Sequence, residues 1–168
     1  METKYRWSLI FMVWMSTMGY SQTAFDDKLN SLYRHTVKTI TATELKAWKK
    51  NEKNFILLDT RSPEEFHVSH IQGSQLLDYN LYGEQDLRKL PLNSIIVVYC
   101  SVGYRSERVG EKLQRLGYTR VWNLYGGIFQ WKNEGGEVVN PSGLATDSVH
   151  TYNRNWSQWL TRGIKVYK

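Results

Sequence analysis

The chain has 168 residues, 41% of them hydrophobic and 14% aromatic, and a formal charge of +6. That is enough apolar material for one domain of ordinary size with modest extensions, and it excludes wholesale disorder. Lysine and arginine are spread without forming a block, which argues against nucleic acid as a partner. The single cysteine rules out an intramolecular disulfide and a cysteine-based zinc site.

Lys4 and Arg6 precede an apolar run from Trp7 to Met18, and Gly19-Tyr20-Ser21 offers small residues before Gln22. This layout predicts a secretory signal peptide over 1–21, and export to a periplasm or out of the cell. The run is shorter than the ~20 apolar residues of a bilayer span, so no stable membrane span is expected after cleavage. Residues 22–36 then read as a lead segment, 37–140 as the domain, and 141–168 as an aromatic C-terminal extension.

Val37 to Ile40 alternates and predicts a short strand. Thr41 and Glu44 have the spacing of a capping box, opening a helix to about Lys50. The apolar run Phe55–Leu58 ends at Asp59 and fits a strand buried on both faces. Ser62, Pro63, Glu64 and Glu65 give a cap, a first-turn proline and first-turn acids, so a second helix begins there. Gly73 closes that unit, Ser74 to Asp78 predicts a strand, and 83–90 a short helix. Ile95–Tyr99 is β-branched and unbroken, a central strand that runs directly into Cys100. A helix is expected from Arg105 or Ser106, with Val109, Leu113 and Leu116 on one face and Gly117 as its left-handed stop. Val121–Leu124 is a further strand, followed by Gly126-Gly127 and a helix through Trp131, itself a core residue. Pro141 to Asp147 reads as a linker. The tail carries Tyr152, Trp156, Trp159, Leu160 and Tyr167 and is expected to pack against the domain. His35, His67 and His150 show no metal-ligand spacing and read as surface residues. Strands alternating with helices predict an α/β fold with a mainly parallel central sheet and helices on both faces.

Sites in open α/β sheets lie beyond the carboxyl ends of the strands. Cys100 stands there, followed by a short glycine-containing loop and a helix N-terminus. Such a loop points backbone N–H groups at a sulfur anion, and the helix dipole and Arg105 add positive potential. Surroundings of this kind favour the thiolate, the nucleophilic form of cysteine.

Cys100-Ser101-Val102-Gly103-Tyr104-Arg105-Ser106 resembles the active-site loop of rhodanese-like domains. Flanking pieces agree in order. Asp59-Thr60-Arg61 with Glu64-Glu65-Phe66 is similar to the family's early Asp-x-Arg and acidic-aromatic segment. Ser69-His70-Ile71-Gln72-Gly73-Ser74 is similar to its His-Ile-x-Gly-Ala turn, and Leu124 to Trp131 to its Gly-Gly-x-x-x-Trp ending. The resemblance spans roughly 37–139. It implies a sulfurtransferase in which Cys100 becomes a persulfide, cradled by the loop Ser101, Val102, Gly103, Tyr104, Arg105 and Ser106. The expected partners are a small sulfur donor, such as thiosulfate or a persulfide, and a thiol or cyanide acceptor. No metal and no organic cofactor is implied, and the oligomeric state is left open. Asp59, Arg61 and His70 are expected to be structural residues near the site, with Arg61 pairing to Glu64 or Glu65 and His70 tying its turn together.

Ser69, Ser74 and Ser101 depart from the family pattern, where glycine, alanine and often arginine stand. The first two are expected to affect packing alone; the third removes a positive charge from the loop edge. Two other readings stay open. A non-catalytic binding module has the same fold, although degenerate versions lose the cysteine. A related cysteine-dependent phosphatase or arsenate reductase needs a loop of five residues between cysteine and arginine, whereas this chain has four, Ser101 to Tyr104.

Overall fold

The computed structural model describes residues 24–51 and 53–167. The expected signal peptide, 1–21, lies outside them. The described residues divide into two compact units between Leu32 and Tyr33. In the first, residues 24–32 form helix α1, in which Phe25 and Leu29, one turn apart, are buried.

The second unit alternates strands and helices: β1 (Lys38–Ile40), α2 (Ala42–Lys50), β2 (Ile56–Asp59), α3 (Pro63–Val68), β3 (Gln75–Leu76), α4 (Glu84–Arg88), β4 (Ile96–Tyr99), α5 (Tyr104–Arg115), β5 (Val121–Leu124) and α6 (Gly127–Asn133). The five strands form one sheet in the order β1-β5-β4-β2-β3, and every neighbouring pair is parallel. Successive residues of β4 point to opposite faces, yet Ile96, Val97, Val98 and Tyr99 are all fully buried. Both faces of the sheet are therefore covered, as an unbroken apolar strand requires. Val98 and Ile96 pack with Leu58, Val109, Leu113, Tyr118 and Val121 in one core cluster. Each such side chain contributes on the order of 2 kcal/mol by leaving water.

Local chemistry starts and stops the helices. Thr41 and Ser62 each cap a helix through a full capping box, with Glu44 and Glu65 reaching back to the cap amide. Gly117 takes φ +96 immediately after α5. That helix starts at Tyr104, one residue earlier than expected, because Gly103 turns the chain at φ +97.

β2 is followed by β3 on one side and β4 by β5 on the other, so the chain reverses direction across the sheet between β2 and β4. Their carboxyl ends flank the crevice where such sheets bind ligands. Cys100 follows one of these ends and Thr60-Arg61 the other.

The structure corrects the expected linker over Pro141–Asp147. β6 (Val138–Val139) and β7 (Ala145–Thr146) form an antiparallel hairpin there. Its turn is held by Asn140, whose Oδ1 accepts the amides of Ser142 and Leu144. The strand expected over Ser74–Asp78 is reduced to Gln75–Leu76, which pairs at the sheet edge with Leu58 and Asp59.

The tail carries β8 (Ser148–His150), α7 (Arg154–Ser157) and β9 (Ile164–Val166), with β8 and β9 parallel. It is bonded to the domain by Ser69 Oγ to the Ser148 carbonyl (2.6 Å), Lys132 Nζ to Asp147 (2.6 Å) and Asn133 Nδ2 to the Trp159 carbonyl (2.9 Å). His150, expected at the surface, is buried in β8, and its Nδ1 accepts the Tyr152 amide. Among the described residues, no helix is long and apolar enough to cross a membrane.

Candidate active site

β4 delivers Cys100 to the crevice, and the loop 100–103 folds back so that the Gly103 amide donates to Cys100 Sγ at 3.1 Å. Cys100 is 1% exposed. Its buried sulfur accepts the turn's own N–H. The first amides of α5, at Tyr104, Arg105 and Ser106, lack intrahelical acceptors as in any helix, and Gly103 supplies no side-chain cap. The positive end of the helix dipole lies at this same end of α5.

Two glycines make this turn possible. Gly103 has a left-handed φ, and a Cβ there would collide with the Tyr33 hydroxyl. Gly127, at φ +56, lies against the Cys100 and Ser101 carbonyls so closely that a Cβ would overlap the Cys100 oxygen. That contact lets the start of α6 pin the loop: Ile128 N donates to the Cys100 carbonyl (2.9 Å) and Phe129 N to that of Ser101 (3.1 Å). Asn123, at the end of β5, donates Nδ2 to the Gly103 carbonyl (2.9 Å).

Arg105 does not touch the sulfur. It forms a two-pronged pair with Glu65 of α3, both bonds at 2.8 Å, and its Nη2 also donates to Ser101 Oγ at 3.0 Å. Ser101 Oγ in turn donates to Glu65 Oε1 (2.8 Å). At the position where the family often has arginine, the serine hydroxyl therefore bridges acid and base. Burial alone would raise the Glu65 carboxyl. The Arg105 bonds, the charges of Arg105 and Arg61 and the Ser62 amide outweigh it and lower the carboxyl to about 2. For Arg105 burial opposes the charge, but Glu65 and the neighbouring Cys100 hold the guanidinium firmly protonated.

The pairing expected for Arg61 needs correction. Arg61 bonds Asp59 through Nε (2.9 Å) and Nη2 (2.7 Å), and Nη2 also reaches the Ser69 carbonyl at 2.6 Å. The turn between β2 and α3 brings residues two apart face to face, while Glu65 is already committed to Arg105. Ser106 is likewise turned away from the sulfur: its buried Oγ donates to Asn123 Oδ1 at 2.7 Å. Val102 is buried and Tyr104 is 44% exposed at the rim. His70 stacks flat on Phe66 with ring centres 3.9 Å apart, and its backbone exchanges two hydrogen bonds with Val139.

Some residues at the site carry no local sequence signal. Tyr33 donates to the Val102 carbonyl (2.7 Å) and accepts from Gly126 N (3.0 Å). Asn123 reads as an ordinary strand residue. The family departures do more than pack: Ser69 bonds the tail, and Ser74 Oγ meets the Tyr99 hydroxyl at 2.9 Å. Among the described residues, no group of three or more His, Cys, Asp or Glu side chains is placed to hold a metal ion.

A family described as Rhodanese-like domain matches residues 41–134. A probable adenylyltransferase/sulfurtransferase MoeZ from Mycobacterium tuberculosis is 34% identical over 97 residues, which are 57% of this chain and 25% of that protein. The chain thus spans about a quarter of that relative's length. A sulfurtransferase from Allochromatium vinosum is 31% identical over 107 residues, 64% of this chain and 99% of that one. The crystal structure of a thiosulfate sulfurtransferase from Pseudomonas aeruginosa superposes with a TM-score of 0.56 at 25% identity, over 62% of this chain and 20% of that one.

Proposed function

From the premise that this chain belongs to the rhodanese-like domain family, we propose that it moves sulfane sulfur from a small donor to a thiol or cyanide acceptor through a persulfide on Cys100. One observation carries the reading: Cys100 Sγ sits at the end of the central strand, hydrogen-bonded by Gly103 N within a four-residue loop closed by Arg105. That bowl suits one additional sulfur atom better than a tetrahedral oxyanion.

The chemistry runs in two displacements. The Cys100 thiolate attacks the outer sulfur of thiosulfate; a sulfur–sulfur bond forms, the donor's own sulfur–sulfur bond breaks, and sulfite leaves with the electron pair. An acceptor thiolate then attacks the outer sulfur of the Cys100 persulfide. The acceptor becomes a persulfide and Cys100 departs as thiolate. The amides of the loop and the start of α5 stabilise the anionic sulfur in both steps. The Glu65–Arg105 pair, with the Ser101 hydroxyl between its partners, holds the loop in shape.

The N-terminal pattern supports export to a periplasm or out of the cell, tested by sequencing the N-terminus of the mature protein. For the activity, sulfide release from thiosulfate plus a thiol is compared with hydrolysis of an aryl phosphate. Turnover in the first assay and none in the second is expected. Turnover in the second alone overturns the reading in favour of a phosphatase.

A further inference from the structure

We infer that Tyr33 is a positioning residue for Cys100, acting through the single peptide unit that joins Val102 to Gly103. In a trans peptide the carbonyl and the N–H point in opposite directions. Tyr33 Oη holds this peptide at its oxygen, at 2.7 Å, and Cys100 Sγ holds it at its nitrogen, at 3.1 Å. The direction of each bond is unambiguous. Val102 O can only accept, so the hydroxyl donates to it. Gly126 N–H can only donate, so the same hydroxyl accepts from it, at 3.0 Å.

The result is a one-way chain of hydrogen bonds: Gly126 N–H to Tyr33 O–H, to the Val102–Gly103 peptide, to sulfur. Each donor in such a chain polarises the next, so the last N–H is a better donor to an anion than an isolated amide. The chain also crosses two loops, since Gly126 follows β5 and Val102 follows β4. It thereby fixes the plane of the peptide that gives the sulfur its hydrogen bond.

The fold invests other residues in keeping Tyr33 there. The two amides flanking His35, those of Arg34 and Thr36, both donate to the buried carboxylate of Glu107 in α5, at 2.9 and 3.1 Å. Gly103 has no room for a Cβ because the hydroxyl occupies that space. Burial raises the Tyr33 hydroxyl above its ordinary range, so it keeps the proton it donates. Tyr33 also precedes the stretch matched to the family, which begins at residue 41. Among the described residues, Arg105 and Tyr33 interact electrostatically with Cys100, Glu65 and Arg61 act on Arg105, and Tyr125 and Glu107 act on Tyr33.

The role in sulfur transfer rests on the proposed function; the effect on the thiol rests on geometry alone. The test therefore reads the two separately, on the full chain. Because Cys100 is the single cysteine, its alkylation by iodoacetamide is followed by intact mass across pH. In Tyr33→Phe the profile is expected to move to higher pH, with the neutral-pH rate falling about 1.3- to 4-fold, because the Gly103–sulfur bond stays and loses only the tenth to a third of its strength that the upstream link lends it, and the high-pH plateau unchanged. An unmoved profile overturns the inference, as does a fall in the plateau without a move, which would mean general loosening. Should the variant fold poorly, the wild-type protein gives a second reading by NMR. The Tyr33 hydroxyl and Gly103 amide protons are expected to shift together when Cys100 ionises, and a Tyr33 proton that does not respond overturns the inference. A shifted profile in a protein that takes up no sulfur supports the positioning role and counts against the sulfur-carrier reading.

Discussion

Asp59–Arg61 and Glu65–Arg105 are both acid–arginine pairs, anchored on neighbouring stretches of chain, and they differ in reach and in exposure. The first joins residues two apart, and neither side chain has any exposed surface. The second joins α3 to α5 across forty residues of sequence, and the Arg105 side chain keeps 19% of its surface exposed. The local pair, with its third bond to the Ser69 carbonyl, shapes the chain leaving β2. The distant pair, with Ser101 between its partners, ties the cysteine loop to α3. The difference separates what the fold needs from what the site needs.

Substitutions can break that separation. Arg61→Leu leaves Asp59 as an unpaired charge in the interior and should cost about 3–5 kcal/mol in urea unfolding, while folded molecules still load sulfur at near the wild-type rate. A cost below about 1 kcal/mol, or loading lost in folded protein, removes the distinction. Glu65→Gln should cost less, about 2 kcal/mol, because Arg105 can reach water, yet slow sulfur loading several-fold by releasing the loop. Unchanged loading in that variant means that Arg105 needs no partner to hold the site.

A third effect is a pH dependence that belongs to Glu65. Its carboxyl titrates at about 2 in the folded chain against an ordinary value of 4.5. Above about pH 4.5 the carboxylate is ionised in both states and the pair contributes fully. As pH falls, the unfolded chain takes up the proton first, so stability drops between about 4.5 and 2 and the contribution is gone below that. Glu65→Gln should flatten that part of the acid-unfolding curve, and an identical acid limb in both proteins contradicts the assignment.

Much of the fold can be read from local pattern, because its causes are local. The β-branched run 95–99, the capping boxes at Thr41 and Ser62 and the left-handed Gly117 each act within one element. The cysteine at a strand end, with its glycine loop, marks the crevice for the same reason. What escapes such reading depends on partners far along the chain. Tyr33 meets Val102 across 69 residues, and no periodicity connects them. Arg61 stands close to three carboxylates in sequence, Asp59, Glu64 and Glu65, and spacing alone could not show that Glu65 is taken by Arg105. The segment after Pro141 has the composition of a linker, and its hairpin depends on the Asn140 side chain and on pairing Val138 with Thr146. The serines at 69 and 74 look like neutral replacements until their hydroxyls find the Ser148 carbonyl and Tyr99.

The most direct test of the sulfur-carrier reading is intact mass spectrometry of the protein after exposure to thiosulfate, before and after a thiol is added. Wild-type protein should gain the mass of one sulfur atom and lose it to the thiol, and Cys100→Ser should gain nothing. Wild-type protein that stays at its original mass, or a Cys100→Ser variant that still takes up sulfur, would contradict a persulfide on Cys100.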